Sequence, residues 1–296
     1  MRKKVLVLVI SSDTYPSVRN RKIIEKTWAV DSPDNIDVFF YKAGHKTEVS
    51  KQNEITLAVG KSSKDISEKN IMAFEYALEN FDFDFLFRTT TTSYVKLDEL
   101  NSFIERNHKE SKYLYCGRVM ETNDLSNNKQ TFVSGAGILF TRDTIKKIIE
   151  NKKQLDYRLW DDVGLGKLLK KLGIDASIGQ REDIKGNIFR HDFSHKHYHY
   201  RCRIDNHYGY PRYLEFYVIK YLHFLLNKKS INKFKKIIFS TLFEASKQFY
   251  VQYPFFKIYT FLKTLLKKIL PKKIFSSFKK KFQTLNKNIQ LRYFKY

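Results

Sequence analysis

The chain has 296 residues, of which 42% are hydrophobic, and this length and composition predict a sizeable folded domain rather than a disordered chain. Two cysteines, Cys116 and Cys202, are too few for a disulfide framework and too far apart for a zinc pattern, which favours a reducing, cytoplasmic location. No run of about 18 uncharged apolar residues occurs, so we expect no membrane-spanning helix.

The net charge of +24 is distributed unevenly along the chain. Residues 221–296 carry 17 lysines and one arginine against one acid, Glu244, which gives that segment a net charge of +17. Residues 1–220 keep only +7. The sequence therefore predicts a mildly basic domain followed by a strongly cationic tail.

In the first part of the chain, apolar runs alternate with helical patterns. The predicted elements, in chain order, are a strand at 5–10, a helix at 17–29, a strand at 37–41, a helix at 69–80, a strand at 83–88, an apolar run at 131–141, and helices at 143–150 and 163–172. This alternation predicts an α/β domain over residues 1–215 with a largely parallel sheet. In such sheets ligands bind beyond the carboxyl ends of strands, so the loop after Arg88 is a candidate site.

Gly135 and Gly137 interrupt the apolar run TFVSGAGILFT at residues 131–141. Glycine inside a strand is typical of a place where a ligand or another strand approaches the backbone closely. We therefore expect Gly135 to lie at the binding site.

Four segments, in the same order as in a known family, carry a resemblance. They are RKIIEKTW at residues 21–28, FLFRTTTTSYV at 85–95, VSGAGILFTR at 133–142 and WDDVGLG at 160–166. Together they resemble the Fringe and β-1,3-galactosyltransferase family, glycosyltransferase family 31, over about residues 1–200. The resemblance implies a GT-A fold and inverting transfer of Gal, GlcNAc or GalNAc from a UDP-sugar to a hydroxyl of an acceptor glycan.

Such a transfer needs a carboxylate to remove the acceptor proton and positive charge to stabilise the departing diphosphate. Asp162 matches the aspartate of the family's E-D-V motif, so the resemblance implies that Asp162 is the general base, with Asp161 as its nearest rival. An alternative interpretation is that one of the two caps the helix predicted to follow.

The chain departs from the family at the metal-binding motif. Where the family has D-D-D, this sequence has a run of hydroxyl residues that includes Thr90, Thr91 and Thr92, and hydroxyls are poor main ligands for Mn²⁺ or Mg²⁺. No metal site or metal cofactor is therefore expected. Two accounts stay open: a metal-independent enzyme, which we favour, or an inactive fold that acts as a binding or scaffolding protein at the membrane.

In a metal-free site, cationic side chains would neutralise the diphosphate. The residues expected to bind the nucleotide sugar are Arg21, Lys69, Arg88, Thr90, Thr91, Thr92, Gly135, His199, Arg201 and Arg203. Arg21 and Lys69 match basic positions of the family, although Glu25 replaces its second arginine. The last three alternate along HDFSHKHYHYRCR, residues 191–203, which would place them on one face of an extended chain.

Five histidines in and near this segment, His191, His195, His197, His199 and His207, also allow a zinc-site interpretation with Asp192 or Cys202 as a further ligand. A polar strand without a ligand is the third interpretation.

The tail, residues 216–296, contains apolar residues at three- and four-residue steps after Pro254 and again after Pro271, with lysines off that stripe. This predicts two basic amphipathic helices that bind an anionic membrane surface through residues 222–296. Packing of the apolar stripes on the body is an alternative, and a nucleic-acid partner is not expected. By analogy, the whole chain predicts a peripheral enzyme on the inner face of the plasma membrane, in surface polysaccharide or lipopolysaccharide synthesis.

Overall fold

The structure, a computed structural model, describes residues 2–30, 32–50, 53–62, 65–123, 129–190, 193–204, 212–227 and 239–243. The strands are β1 Val5–Ile10, β2 Ile36–Gly44, β3 Glu48–Ser50, β4 Glu54–Ala58, β5 Phe85–Thr90, β6 Ser93–Val95, β7 Tyr115–Asn123, β8 Lys129–Thr141, β9 Ser177–Ile178, β10 Arg181–Asp183 and β11 His199–Arg201. The helices are α1 Ser17–Ile24, α2 Ile66–Asn80, α3 Leu97–Asn107, α4 Arg142–Glu150, α5 Asp161–Lys171 and α6 Glu215–Leu226.

Eight strands form the main sheet in the order β3-β4-β2-β1-β5-β8-β7-β9. Its four neighbouring strands β4, β2, β1 and β5 are parallel, whereas β8 runs antiparallel to both β5 and β7. In the register of β1 and β5, Ile10 lies opposite Thr90. The carboxyl ends of the two central strands therefore meet at one edge, and the predicted α/β class is confirmed.

Both faces of the main sheet are covered, which explains why β1 is apolar throughout. Leu6 and Leu8 face a core formed with α2, α4 and α5, whereas Val5, Val7 and Val9 face a second core formed with α1, α3 and α6. Burial on both sides fixes the strand ends, and with them the loops that follow.

A smaller sheet, in the order β10-β11-β6, packs on the second core. One face of it contributes Tyr94 and Tyr200 to that core, and the other face carries His199 against the main sheet. The imidazole of His199 occupies the space where a Cβ of Gly137 would lie. Gly137 is therefore required for close packing of the two sheets rather than for a ligand.

The helix boundaries differ from the predictions by one or two residues in α4 and α5 and by more in the first two helices. The first helix, predicted to reach residue 29, ends at Ile24, because the chain continues as tight turns and Trp28 turns inward to donate its indole N–H to the carbonyl of Ser93, at 3.1 Å. The second helix begins at Ile66 rather than at Lys69.

The described start of the predicted tail packs on the body. In α6, Val218, Ile219 and Leu222 belong to the same core as α1, and Glu215 is fully buried, where it accepts a hydrogen bond from Asn20 of α1 at 3.0 Å. The amphipathic helices predicted after Pro254 lie outside the described residues. Across the described ranges, the search found no helix with the length and apolarity needed to cross a membrane.

Candidate active site

A cleft of about 570 Å³ lies beyond the carboxyl ends of β1 and β5. Its walls come from the loop between β1 and α1, the start of α2, the run after β5, the middle of β8, the start of α5 and the segment that follows β11. The predicted site residues that line it are Lys69, Arg88, Thr90, Thr91, Thr92, Gly135, Asp161, Asp162, Arg201 and Arg203. The fold thus brings ten of the twelve together.

Asp161 and Asp162 are the first two residues of α5. Neither is the N-cap, which is Trp160, so the capping interpretation is wrong, although the Oδ1 of Asp162 accepts a hydrogen bond from the N–H of Val163 at 3.0 Å. Both carboxylates face into the cleft instead. The two aspartates differ sharply in their partners.

The Asp161 carboxylate is part of a closed ring of buried polar groups. Its Oδ2 lies 3.0 Å from Nη2 of Arg88 and 3.0 Å from Nδ2 of Asn70. Asn70 accepts a hydrogen bond from the hydroxyl of Tyr41 at 2.6 Å, and that hydroxyl accepts one from Nε of Arg88 at 3.2 Å. Asp161 is therefore ion-paired and held in place.

The Asp162 carboxylate has no cation in direct contact among the described residues. Its Oδ2 accepts a hydrogen bond from the N–H of Gly135 at 2.8 Å. Burial, and next to it the negative charge of Asp161, raises the pKa of Asp162 above its ordinary value. A carboxylate with a raised pKa is a stronger base than an ordinary aspartate, which suits proton removal near neutral pH.

Hydroxyl side chains line the cleft at and after the end of β5. Thr90 and Thr92 bond to each other at 2.9 Å through their side-chain oxygens, and the hydroxyl of Thr91 bonds to that of Ser17 at 3.2 Å. Neutral hydroxyls that already satisfy one another offer a divalent cation no anionic oxygen. Within the described residues no group of three His, Cys, Asp or Glu side chains could hold a metal ion, so these residues do not fit one.

The side chains of two cations in the cleft make no direct hydrogen bond or ion pair with any described residue. Lys69, on α2, is 6% exposed, and burial lowers its pKa. Arg201, on β11, has its pKa lowered by burial and by the neighbouring guanidinium of Arg181. Asp65 and Asp183 act on Lys69 and Arg201 electrostatically but make no direct ion pair with them, so the nitrogens of both cations are available to an anionic ligand.

Two predicted site residues do not line the cleft. Arg21 of α1 forms ion pairs with Glu25 and Glu54 and stacks over the ring of Phe40. His199 is fully buried between the two sheets, 3.0 Å from the hydroxyl of Ser93, and burial lowers its pKa well below the ordinary value. Their neighbours satisfy both side chains, so both have structural roles here.

The zinc interpretation gains no support where it can be examined. His195 and His197 precede β11 rather than sharing a strand with His199, and Nδ1 of His197 lies 3.3 Å from Glu182. His191, Asp192 and His207 lie outside the described residues.

Several cleft residues were not predicted from the sequence, among them Ser11, Tyr15, Lys61, Trp160 and Arg212. Ser11 and Tyr15 follow β1, whose carboxyl end lies beside that of β5, so the rule that pointed to the loop after Arg88 would also have found them. Arg212 lies just before α6, and its Nε donates a hydrogen bond to Oε1 of Glu215 at 3.0 Å. No local signal in the sequence marks it as a cleft residue.

An α/β sheet with a half-buried carboxylate at one edge and cations without a direct partner beside it is the arrangement expected of a group-transfer enzyme acting on an anionic substrate. The sequence model of the Galactosyltransferase family matches residues 19–179, more than half of the chain, and the protein belongs to this family. It is a glycosyltransferase, and the resemblance that the four motif segments carry is confirmed.

No curated protein matches the chain. One similar solved structure is that of a glycosyltransferase involved in the glycosylation of the major capsid of PBCV-1, with 8% sequence identity over 74% of this chain and 99% of that chain. The TM-score is 0.45, and at this level the likeness does not by itself establish a shared fold.

Proposed function

We propose that the enzyme transfers a hexosyl residue, Gal, GlcNAc or GalNAc, from a UDP-sugar to a hydroxyl of a glycan or glycolipid acceptor, with inversion and without a metal ion. The observation that carries this proposal is the pairing of a half-buried base, Asp162, with two cations that make no direct ion pair, Lys69 and Arg201, across one cleft.

Asp162 takes the role of general base. Its carboxylate accepts the proton of the acceptor hydroxyl as that oxygen bonds to the anomeric carbon, and the bond from that carbon to the diphosphate breaks at the same time. UDP leaves with the electron pair. Asp161 is less suited to this role because its charge is already compensated by Arg88.

Lys69 and Arg201 supply the positive charge that the leaving diphosphate needs. Preorganised cations in a partly desolvated cleft stabilise developing negative charge more strongly than they would in water. Arg203 and Arg212 line the same cleft and add to its positive potential. The hydroxyls of Thr90, Thr91 and Thr92 provide neutral hydrogen-bonding groups for the donor at the place where the family motif has carboxylates.

The test is an assay of donor hydrolysis and transfer with UDP-Gal, UDP-GlcNAc and UDP-GalNAc, with and without EDTA. We expect activity to survive EDTA, and Asp162→Asn to lower kcat by about 10²- to 10⁴-fold, the usual contribution of a general base. Asp161→Asn should lower kcat far less. Asp143→Asn, which alters an exposed carboxylate of α4, is the matched control.

Two results would refute parts of the proposal separately. Activity that EDTA removes and Mn²⁺ restores would contradict metal independence but leave the donor class standing. No binding of UDP or of any UDP-sugar would contradict the donor class, and would favour the alternative of an inactive binding protein.

We also propose that the enzyme works at the cytoplasmic face of a membrane in surface glycan synthesis. Support comes from the charge of +17 on residues 221–296. Co-sedimentation with anionic liposomes checks this proposal, and equal pelleting of the full chain and of a chain ending at residue 243, which keeps the core residue Phe243, would contradict it.

A further inference from the structure

Arg88 is the most completely enclosed cation of the cleft, with a side chain that is 4% exposed. Each of its three nitrogens donates to a protein oxygen. Nε donates to Tyr41, Nη2 to Asp161, and Nη1 to the carbonyl oxygen of Gly135. A guanidinium committed in this way has little capacity left for a phosphate, in contrast to Lys69 and Arg201.

The Gly135 residue connects this guanidinium to the base. Its carbonyl accepts from Arg88, while its N–H donates to Oδ2 of Asp162 at 2.8 Å. A Cβ on Gly135 would lie 2.8 Å from Nη1 of Arg88, 3.3 Å from Oδ2 of Asp162 and 3.4 Å from Oδ2 of Asp161. Three charged groups thus converge on one glycine.

We propose that Arg88 and Asp161 are positioning residues of the transferase reaction: they hold Gly135, and through its N–H the Asp162 carboxylate, and their opposite charges balance at that carboxylate. This inference rests on the proposed function. It reassigns Arg88 from nucleotide binding, the role that the sequence predicted, to the support of the base.

Arg88 and Asp161 shift the pKa of Asp162 in opposite directions. The positive charge of Arg88 lowers the pKa of Asp162, whereas the negative charge of Asp161 raises it. A base works only when deprotonated, so the rate falls as pH drops through its pKa. Loss of Arg88 should therefore move the acid limb of the rate profile to higher pH, and loss of Asp161 should move it to lower pH.

Other ionisable groups also face Asp162, but they are the same in the Arg88 and Asp161 variants. Tyr115 of β7 approaches from the sheet, with its pKa raised by burial, so it stays neutral over the range tested. The cations Lys69, Arg201 and Arg203 line the same cleft and remain in every variant. Opposite shifts of the acid limb in the Arg88 and Asp161 variants therefore report the charges of these two residues.

The experiment compares the pH dependence of kcat/KM for UDP-sugar hydrolysis or transfer in four variants: Arg88→Gln, Asp161→Asn, the double variant, and Arg88→Lys. We expect the acid limb to move up by about one pH unit in Arg88→Gln and down by about one unit in Asp161→Asn, as for charges within about 4–6 Å. The double variant should return the limb to within a few tenths of the wild-type position.

Arg88→Lys separates charge from geometry. A lysine keeps the positive charge but lacks the planar guanidinium fork, so the limb should stay in place while kcat falls. The Kd for UDP, measured by calorimetry, should change by less than about threefold in Arg88→Lys and Asp161→Asn, because neither group holds the nucleotide. A loss in UDP affinity of tenfold or more, with an unmoved limb, would overturn the inference and return Arg88 to the donor site.

Arg88→Gln leaves Asp161 buried without its cation, and such a protein can fail to fold. The double variant removes both charges together and keeps the test available, since its limb can be compared with that of Asp161→Asn. Limbs that coincide in these two proteins would contradict the role of Arg88. A wild-type enzyme without hydrolysis or transfer would instead refute the proposed function.

Discussion

The polar residues of the cleft form two sets, a positioning side and a binding side, which differ in how their charges are compensated. On the positioning side, Asp161, Arg88 and Asn70 form a ring of hydrogen bonds with Tyr41. On the binding side, the side chains of Lys69, which precedes Asn70 on α2, and of Arg201 on β11 have no hydrogen-bonding partner among the described residues. The charged groups of the positioning side find their hydrogen-bonding partners within the protein, whereas those of the binding side would gain a direct partner when an anion binds.

This difference separates the groups that position from the groups that bind. Buried polar groups with satisfied hydrogen bonds are rigid and hold their neighbours in place. A cation in a cleft with no counterion retains its full capacity for a ligand phosphate. Substitutions made on each side separately therefore test whether one side positions the base and the other binds the nucleotide.

The largest effect on binding should come from the cations. We expect Lys69→Met and Arg201→Met each to weaken UDP binding by about tenfold or more, and the double variant by about 100-fold, since a hydrogen bond to a charged group contributes about 1.5–3 kcal/mol. Isothermal calorimetry with UDP measures this directly.

Lys170→Met is the matched control, because it removes a lysine from the exposed face of α5. UDP affinity that falls equally in this control would show a general charge effect rather than a contact. Wild-type affinity in both single variants would break the distinction between the two sides.

Much of the fold could be predicted from the sequence because local pattern and tertiary burial agree there. The apolar run Val5–Ile10 has no polar interruption, as a central strand buried on both faces requires. In β5 only Phe85, Leu86 and Phe87 form such a run, and the sheet rule then places Thr90, at the end of that strand, at the ligand edge. Asp162 was found by its motif, since nothing in its local pattern distinguishes it from Asp161.

The roles of individual basic residues could not be predicted in this way. Arg21, Arg88 and Arg201 look alike in sequence, yet one pairs with Glu54, one with Asp161, and one with no described residue. Glu25 is only four positions from Arg21, but Glu54 is 33 positions from Arg21 and Asp161 is 73 positions from Arg88, so these pairs depend on the tertiary fold. His199 illustrates the same limit, because its burial depends on Gly137 of another strand.

A smaller effect is expected on the positioning side from Gly135→Ala. The added methyl group would lie 2.8 Å from Arg88 and would push the guanidinium or the two carboxylates apart. We expect a loss of about 1–3 kcal/mol in the free energy of unfolding, typical of overpacking, and a fall of about tenfold in kcat with little change in UDP affinity.

Thermal unfolding, kcat and calorimetry on the same preparation test this expectation, with Thr131→Ala, on β8 but outside the cleft lining, as the control. Unchanged kcat in Gly135→Ala would show that the base does not depend on this peptide. A loss confined to UDP affinity would place Gly135 on the binding side instead.

The smallest effect concerns the pH dependence of UDP binding. Burial lowers the pKa of Lys69 below the ordinary lysine value of 10.5, so the free enzyme loses this cation at a lower pH than an exposed lysine would. UDP needs the charged form, hence affinity should fall by a few fold as pH rises from about 7 to about 9.5. Arginine stays protonated throughout this range, so Lys69→Arg should flatten the dependence. A decline in UDP affinity of equal size in wild type and Lys69→Arg would mean that another group titrates and that Lys69 does not belong to the binding side.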